Sequence, residues 1–332
     1  MGGLPFLLTR LRGGLPVDSA VVRTALASLS AGTVRDYCAA WQRFARFARE
    51  RGVQPWPVVP SFAAEFLLVR VQGVTRAAHP VSEFCSAVAW LCRLAGAPNP
   101  LESDGLFGAL RQGLAVSRTT EPVRHAPVVD VSPVLQAALE GDPHQLPLSE
   151  LRTRVVVLLF VLALARPSDV AQTRRDQVQF RDDGSVALLL PRSKTDKARD
   201  GQVLRVGAPE DEGLANPVEF VRAWLVRTED ASLPHSRPLF PGPTQGLPFS
   251  SDWFANTGKN FARAHGAPDS FTSRSFRASS ATALLAAGVP TWQVQLLGRW
   301  TSEGSMHKSY NAAAPRRVQE TLTRPGPRNL SR

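Results

Sequence analysis

The chain has 332 residues, 43% of them hydrophobic, enough for two domains that each close a core, which excludes disorder throughout. Cys38, Cys85 and Cys92 lack paired metal-ligand spacing, so neither a disulfide scaffold nor a structural zinc site is expected, and a reducing compartment fits. Lysine and arginine total 39 against 28 acidic residues, a formal charge of +11; a polyanionic partner is favoured over a merely solvated surface or contact with anionic lipid.

That charge is shared. Residues 1–126 hold 14 basic and 8 acidic side chains and the remainder hold 25 and 20, which suits two lobes on one polyanion better than a basic arm on a neutral enzyme. The longest apolar run, residues 155–165, stops at Arg166, well short of the roughly 20 residues that cross a bilayer, so it reads as a buried helix and no membrane association is expected. Arg10 and Arg12 follow an apolar stretch rather than precede it, so no export signal is expected.

Ser30 or Thr33 can cap a helix running to about Arg51, with Gly52 as its stop. Tyr37, Trp41, Phe44 and Ala48 form its apolar stripe, and Arg35, Arg46 and Arg49 can remain outside. Further helices are predicted over 60–71, 80–95 and 107–114, giving a small helical domain. Residues 117–133 lose periodicity and collect Pro122, Pro127 and Pro133, the pattern of a linker. Beyond it the pattern predicts a long buried helix over 148–164 and another starting at 167–172. Short strands follow at 178–180, 186–190 and 203–206, with Asp182, Asp183 and Gly184 as a turn. Helices are then expected at 217–228, 249–265, 274–287 and 291–298. The fold class is therefore mainly α with a small β-sheet, and no internal repeat is visible.

The residues that could carry chemistry are scattered. Tyr37 lies on an apolar helix face and reads as core, whereas Tyr310, in "GRWTSEGSMHKSYNAAA", lies in a segment polar enough to keep one face wet. Arg166 follows the apolar helix, with Asp169 three residues on to orient its guanidinium; a salt-bridged helix end is the plain alternative. Arg274 and Arg277 lie about a turn apart in "FTSRSFRASSATALLAAGVP", a repulsive pair that an adjacent anion would relieve, or two divergent solvent-facing arginines. Lys194 and Lys197 lie in "RSKTDK" after a strand, where a lysine can reach over a phosphodiester and protonate a leaving alkoxide, or simply solvate a loop.

In this order, Arg166 at a helix end, Lys194 on a hairpin, Arg277 in a helix, "LLGRW" and the late Tyr310 resemble the tyrosine recombinase family. "LSAGTVRDYCAAWQRFARFAR" also looks like the start of that family's helical core-binding domain, and the resemblance covers most of residues 20–312. It implies a core-binding domain at 20–116, a linker at 117–133, a catalytic domain at 134–312 and a basic flexible tail at 313–332. It further implies two phosphate-holding arginines, Arg166 ("LALARPSDV") and Arg277 ("RSFRASSAT"), with Asp169 as acidic support. Lys194, or Lys197, is the hairpin lysine of "PRSKTDK", Trp300 takes the second histidine-or-tryptophan position, and Tyr310 is the nucleophile. The implied activity is DNA strand cleavage and rejoining, in site-specific recombination or integration, through a 3′-phosphotyrosine.

The resemblance implies double-stranded DNA as partner, self-association on it, and neither metal nor cofactor. The six histidines show no ligand cluster; His307, three residues before Tyr310, could share its helix face and assist proton transfer. "GRW" followed by a serine and an acidic residue looks more like recombinases of eukaryotic mobile elements than phage integrases, which would place the protein in a nucleus; a bacterial enzyme would work in the cytoplasm on the nucleoid. Two positions depart from the family pattern. Arg274 stands where histidine is usual, and a guanidinium, a donor that does not give up its proton in proteins, is a poor general base. The interval from Trp300 to Tyr310, ten residues, is also longer than the family spacing. A catalytically inactive, recombinase-derived DNA-binding protein is the alternative reading, and a topoisomerase-like relaxing activity would use the same residues.

Overall fold

Ser30 fixes the start of helix α1, Ala31–Glu50, where its Oγ accepts the Thr33 N–H at 3.1 Å. Gly52 fixes the end. At φ +69° it reverses the chain, its N–H donates to Arg49 O at 3.1 Å, and the Val53 N–H donates back to Ala48 O at 2.9 Å. The computed structural model describes residues 29–72, 78–117, 126–190, 201–209, 214–230, 232–244 and 247–310, with Ala20 and Thr24. The chain divides into two compact units, Met1–Arg124 and His125–Arg332.

In the first unit α1 packs on α3, Ala78–Ala95, joined by α2, Pro60–Arg70, α4, Pro100–Ser103, and α5, Gly105–Ser117. Phe44, buried at 1% exposure, meets the rings of Phe66, Phe84 and Phe62 at 5.4, 5.1 and 6.0 Å. Such pairs contribute about 0.5–1.5 kcal/mol each beyond area burial. Tyr37 packs beside this core, its ring 5.6 Å from Trp90, while Arg35, Arg46 and Arg49 face solvent. Helix α4 was not expected from the sequence, and α5 begins two residues before the expected 107.

In the second unit α7, Leu148–Leu162, forms the centre with its C-terminal half, which is apolar on every side: Val155 through Phe160 are all buried. Around it lie α6, Ser132–Leu139, α9, Pro217–Arg227, α10, Ser251–Ala264, and α11, Ser273–Ala286. Gly258 lets α10 approach, because a Cβ there would stand 2.7 Å from the Phe160 ring. Helix α8, Pro167–Gln172, leads through a 3₁₀ turn, Arg175–Gln177, into an antiparallel sheet of β1, Val178–Phe180, β2, Val186–Leu190, and β3, Gln202–Val206, in the order β1-β2-β3. Val178 pairs with Leu188, and Leu188 with Leu204, so one face of the sheet enters the core. In the β1–β2 turn Asp183 accepts the Ser185 N–H at 3.0 Å and its hydroxyl at 2.5 Å, and these bonds hold the carboxyl below its usual range.

Helix α6 runs through the end of the segment that sequence assigns to the linker. Pro133 there lies in the helix's first turn, where a missing N–H costs nothing. Helix α7 stops at Leu162 rather than 164, since Leu164 adopts φ +47° and the Ala165 N–H turns back to Leu159 O at 3.1 Å.

Many arginines are committed to the architecture. Arg175 donates to Leu225 O, to Thr228 Oγ1 at 2.8 Å and to Glu229; Arg237 donates to Thr228 O and Asp230 O at 2.9 Å; Arg227 donates to Pro143 O and Leu146 O at 3.0 and 2.6 Å. Arg175 and Arg237 thus close the C-terminal end of α9, where carbonyls lack helical partners. Among the described residues no helix is long and apolar enough to cross a membrane.

Candidate active site

The turn after α7 builds the floor of the site. Leu164 in the left-handed region costs about 1–2 kcal/mol, and it turns its carbonyl to partners from two distant segments. Arg166 caps α8, Pro167 starts it, and Asp169 reaches back so that its Oδ2 accepts the Arg166 main-chain N–H at 3.1 Å. Asp169 is buried, at 1% exposure. The Arg166 side chain approaches the same Oδ2 only to 3.8 Å, beyond hydrogen-bond range, and its buried Nη1 has no hydrogen-bond partner among the described residues.

Helix α11 supplies the second arginine. Arg277 lies on its buried face and donates from Nη1 to Leu164 O and from Nη2 to Gly298 O at 2.6 Å. The Trp300 ring covers the guanidinium, with Cζ 4.4 Å from the ring centroid. Arg274 lies exposed in the first turn of the same helix, which holds no acidic residue. A cation there opposes the positive end of the helix dipole, so an anion in front of it would be doubly favoured.

Helix α12, Thr291–Gly298, ends on a residue that sequence reading passed over. Arg299 adopts φ +55°; its N–H donates to Leu296 O at 3.0 Å and the Trp300 N–H to Gln295 O at 3.1 Å, the bonding of a left-handed C-terminal cap made without glycine. Its side chain turns inward, where Nη2 donates to Asp169 Oδ2 at 2.7 Å and to Leu164 O at 3.4 Å. Asp169's close partner is therefore Arg299 rather than Arg166. Burial pulls the Arg299 pKa down to about 10, with Asp169 opposing and Arg166 adding to the shift, so the group stays charged at neutral pH. "GRW" contains Arg299 in plain view, but nothing in the pattern marks an arginine as buried.

Gly298 is required by Trp300: a Cβ would lie 1.6 Å from the indole Cζ3. Gly298→Ala should displace the indole from Arg277 and destabilise the chain by about 3 kcal/mol. Urea unfolding checks this. Gly298→Ala/Trp300→Ala should be more stable than the two single losses added together, and simple additivity would refute the clash.

Helix α13, Glu303–Tyr310, packs on α11 and α12. Met306, 1% exposed, lies among Leu164, Ala278, Ala281 and Val294. Tyr310 follows Met306 by one helical turn. The site residues thus gathered are Arg166, Asp169, Arg277 and Trp300, with Arg299 and the Leu164 and Gly298 carbonyls added. Lys194 and Lys197 lie outside the described residues, as do the side chains of His307 and Tyr310 and the tail beyond 310. Among the described residues no group of three or more His, Cys, Asp or Glu side chains could hold a metal ion.

No curated protein matches the chain. Solved structures share its fold at low identity. The XerH site-specific recombinase bound to a palindromic difH substrate, in a post-cleavage complex, aligns with a TM-score of 0.63 and 14% identity over 88% of this chain and 79% of its own. The Tn1549 transposon integrase in complex with circular intermediate DNA aligns with a TM-score of 0.50 and 14% identity over 96% of this chain and 98% of its own. Residues 135–317, more than half of the sequence and all of the described site, match the model of the phage integrase family, and the chain belongs to that family.

Proposed function

We propose that the protein cuts and rejoins DNA strands in site-specific recombination or integration. The Tyr310 hydroxyl releases its proton to water as its Oη attacks a scissile phosphorus, the bond to the 5′-oxygen breaks, and a 3′-phosphotyrosine holds the strand until a 5′-hydroxyl reverses the step. Arg166 and Arg277, joined by Arg274, stabilise the extra charge on the phosphoryl oxygens in the transition state. Lys194, or its neighbour Lys197, protonates the departing 5′-oxygen. Trp300 holds the plane of Arg277, and Asp169 supports the turn that carries Arg166.

One observation carries this reading. Arg166 and Arg277, far apart in sequence, converge on the single turn after α7, with an aromatic lid on one of them. An arginine fork fixed from behind by main-chain carbonyls, as Arg277 is by Leu164 and Gly298, is preorganised for an anion in front. This chemistry needs duplex DNA, and the excess of 39 basic over 28 acidic residues supports binding to it. The XerH structure holds a palindromic substrate, and palindromy mirrors two-fold protein symmetry, which supports self-association of this chain on DNA.

Arg274, where the family usually has histidine, favours a second reading in which the chain binds DNA without cutting it. Suicide duplexes drawn from the ends of its own genomic element separate the two. A denaturation-resistant adduct whose peptide mass maps to Tyr310 is expected; specific binding with no adduct would establish the silent DNA-binding protein instead.

A further inference from the structure

One carboxylate oxygen in the site has two cations to serve. Asp169 Oδ2 receives Arg299 Nη2 at 2.7 Å, the length of a charge-assisted hydrogen bond, and stands 3.8 Å from Arg166 Nη1, which makes none. Both side chains are guanidiniums that stay protonated at neutral pH, so a single carboxylate leaves one positive charge uncompensated. The cation held less closely is Arg166, whose buried Nη1 has no hydrogen-bond partner among the described residues, just as the carboxylate's other oxygen, Asp169 Oδ1, has none. A buried cationic donor in that condition is costly until an anion meets it.

The order of preference is built into the backbone. Arg299 occupies a left-handed cap closed by main-chain bonds to Leu296 O and Gln295 O, and its side chain has a second anchor at Leu164 O. Arg299 is held against Asp169 by its own segment, whereas Arg166 meets that carboxylate chiefly through its main-chain N–H at 3.1 Å.

We propose that Arg299 is a positioning residue: by occupying the Asp169 carboxylate it keeps the Arg166 guanidinium available for an anionic phosphate oxygen. The role rests on the strand-transfer reading for its use in catalysis, but not for its anion binding. Without Arg299, the buried Asp169 carboxylate loses its close cation, draws the Arg166 guanidinium in from 3.8 Å and closes the phosphate site. Removing the carboxylate as well ends that pull, so the double loss is milder than the single one.

The test uses the full chain and inorganic phosphate as probe, reading the shift in thermal midpoint that phosphate produces. The part of the shift lost in Arg166→Ala defines the Arg166 site. Arg299→Met should lose that same part, Arg299→Met/Asp169→Asn should regain it, and Arg299→Lys, which keeps a cation on Asp169, should retain most of it. A wild-type response in Arg299→Met overturns the role, as does a double variant that stays unresponsive or an Arg166→Ala variant that responds like wild type. If Arg299→Met does not fold, the Lys and double variants carry the test, and an unresponsive double overturns the role again. Adduct formation is scored separately: it should fall about 100-fold in Arg299→Met and recover in the double variant. The expected phosphate pattern in a chain that never captures DNA would overturn strand transfer and leave the positioning role standing. DNA capture by the wild type beside a phosphate-responsive Arg299→Met would overturn the role alone.

Discussion

Tyr310→Phe is expected to abolish the denaturation-resistant DNA adduct while leaving duplex binding within about threefold of wild type, because phosphate and groove contacts rather than the nucleophile supply affinity. The substitution removes one oxygen and keeps the aromatic ring. The helix that carries it is anchored a turn earlier by the buried Met306, so the local fold should survive. The chain's other tyrosine, Tyr37, packs beside the aromatic core of the first unit and offers no ready substitute. Gel capture and filter binding on the same duplex provide the two readouts. An adduct that persists in Tyr310→Phe would assign the nucleophile elsewhere, and loss of binding would make the tyrosine a structural residue.

Arg277→Ala should damage both stability and cleavage. Its guanidinium joins Leu164 O to Gly298 O beneath the Trp300 ring, so truncation takes a donor from two buried carbonyls and exposes one aromatic face to a void. Each orphaned group costs about 1–3 kcal/mol; Leu164 O keeps its bond from Arg299, so the loss should total about 2–4 kcal/mol. Loss of a transition-state cation should slow adduct formation by about 100-fold or more. Arg277→Lys should recover little, because one ammonium cannot span two carbonyls and lie flat under an indole. Urea unfolding and single-turnover capture measure the two effects, and a stable, fully active lysine variant would contradict the assigned geometry.

The fold was legible where periodicity and caps agree. The stripe of Trp41, Phe44 and Ala48, bounded by Ser30 and Gly52, places α1 closely, and the apolar run Val186–Leu190 after the turn at Asp182, Asp183 and Gly184 places the central strand. Proline misled the reading at 133. Pro60, Pro100, Pro133, Pro167 and Pro217 all lie in first helical turns, so at these five positions proline starts a helix rather than marking a linker.

The site was legible as residue types in order, but not as a bonding pattern. Arg166, Asp169, Arg277 and Trp300 could be named from motif and spacing. Leu164 and Gly298 could not, because they contribute main-chain carbonyls that no side-chain motif records. Arg299 escaped because the partner of its inward side chain, Asp169, lies 130 residues away.

Arginines folded back onto carbonyls change what a salt titration of DNA binding would report. The slope of affinity against salt counts cations that displace condensed counterions from phosphates. Arg175, Arg227 and Arg237 have their guanidiniums occupied at helix and loop carbonyls and do not belong to that count. Composition therefore sets the reach of the protein's field, while the arginines not committed to carbonyls set how steeply a bound duplex is released as ionic strength rises.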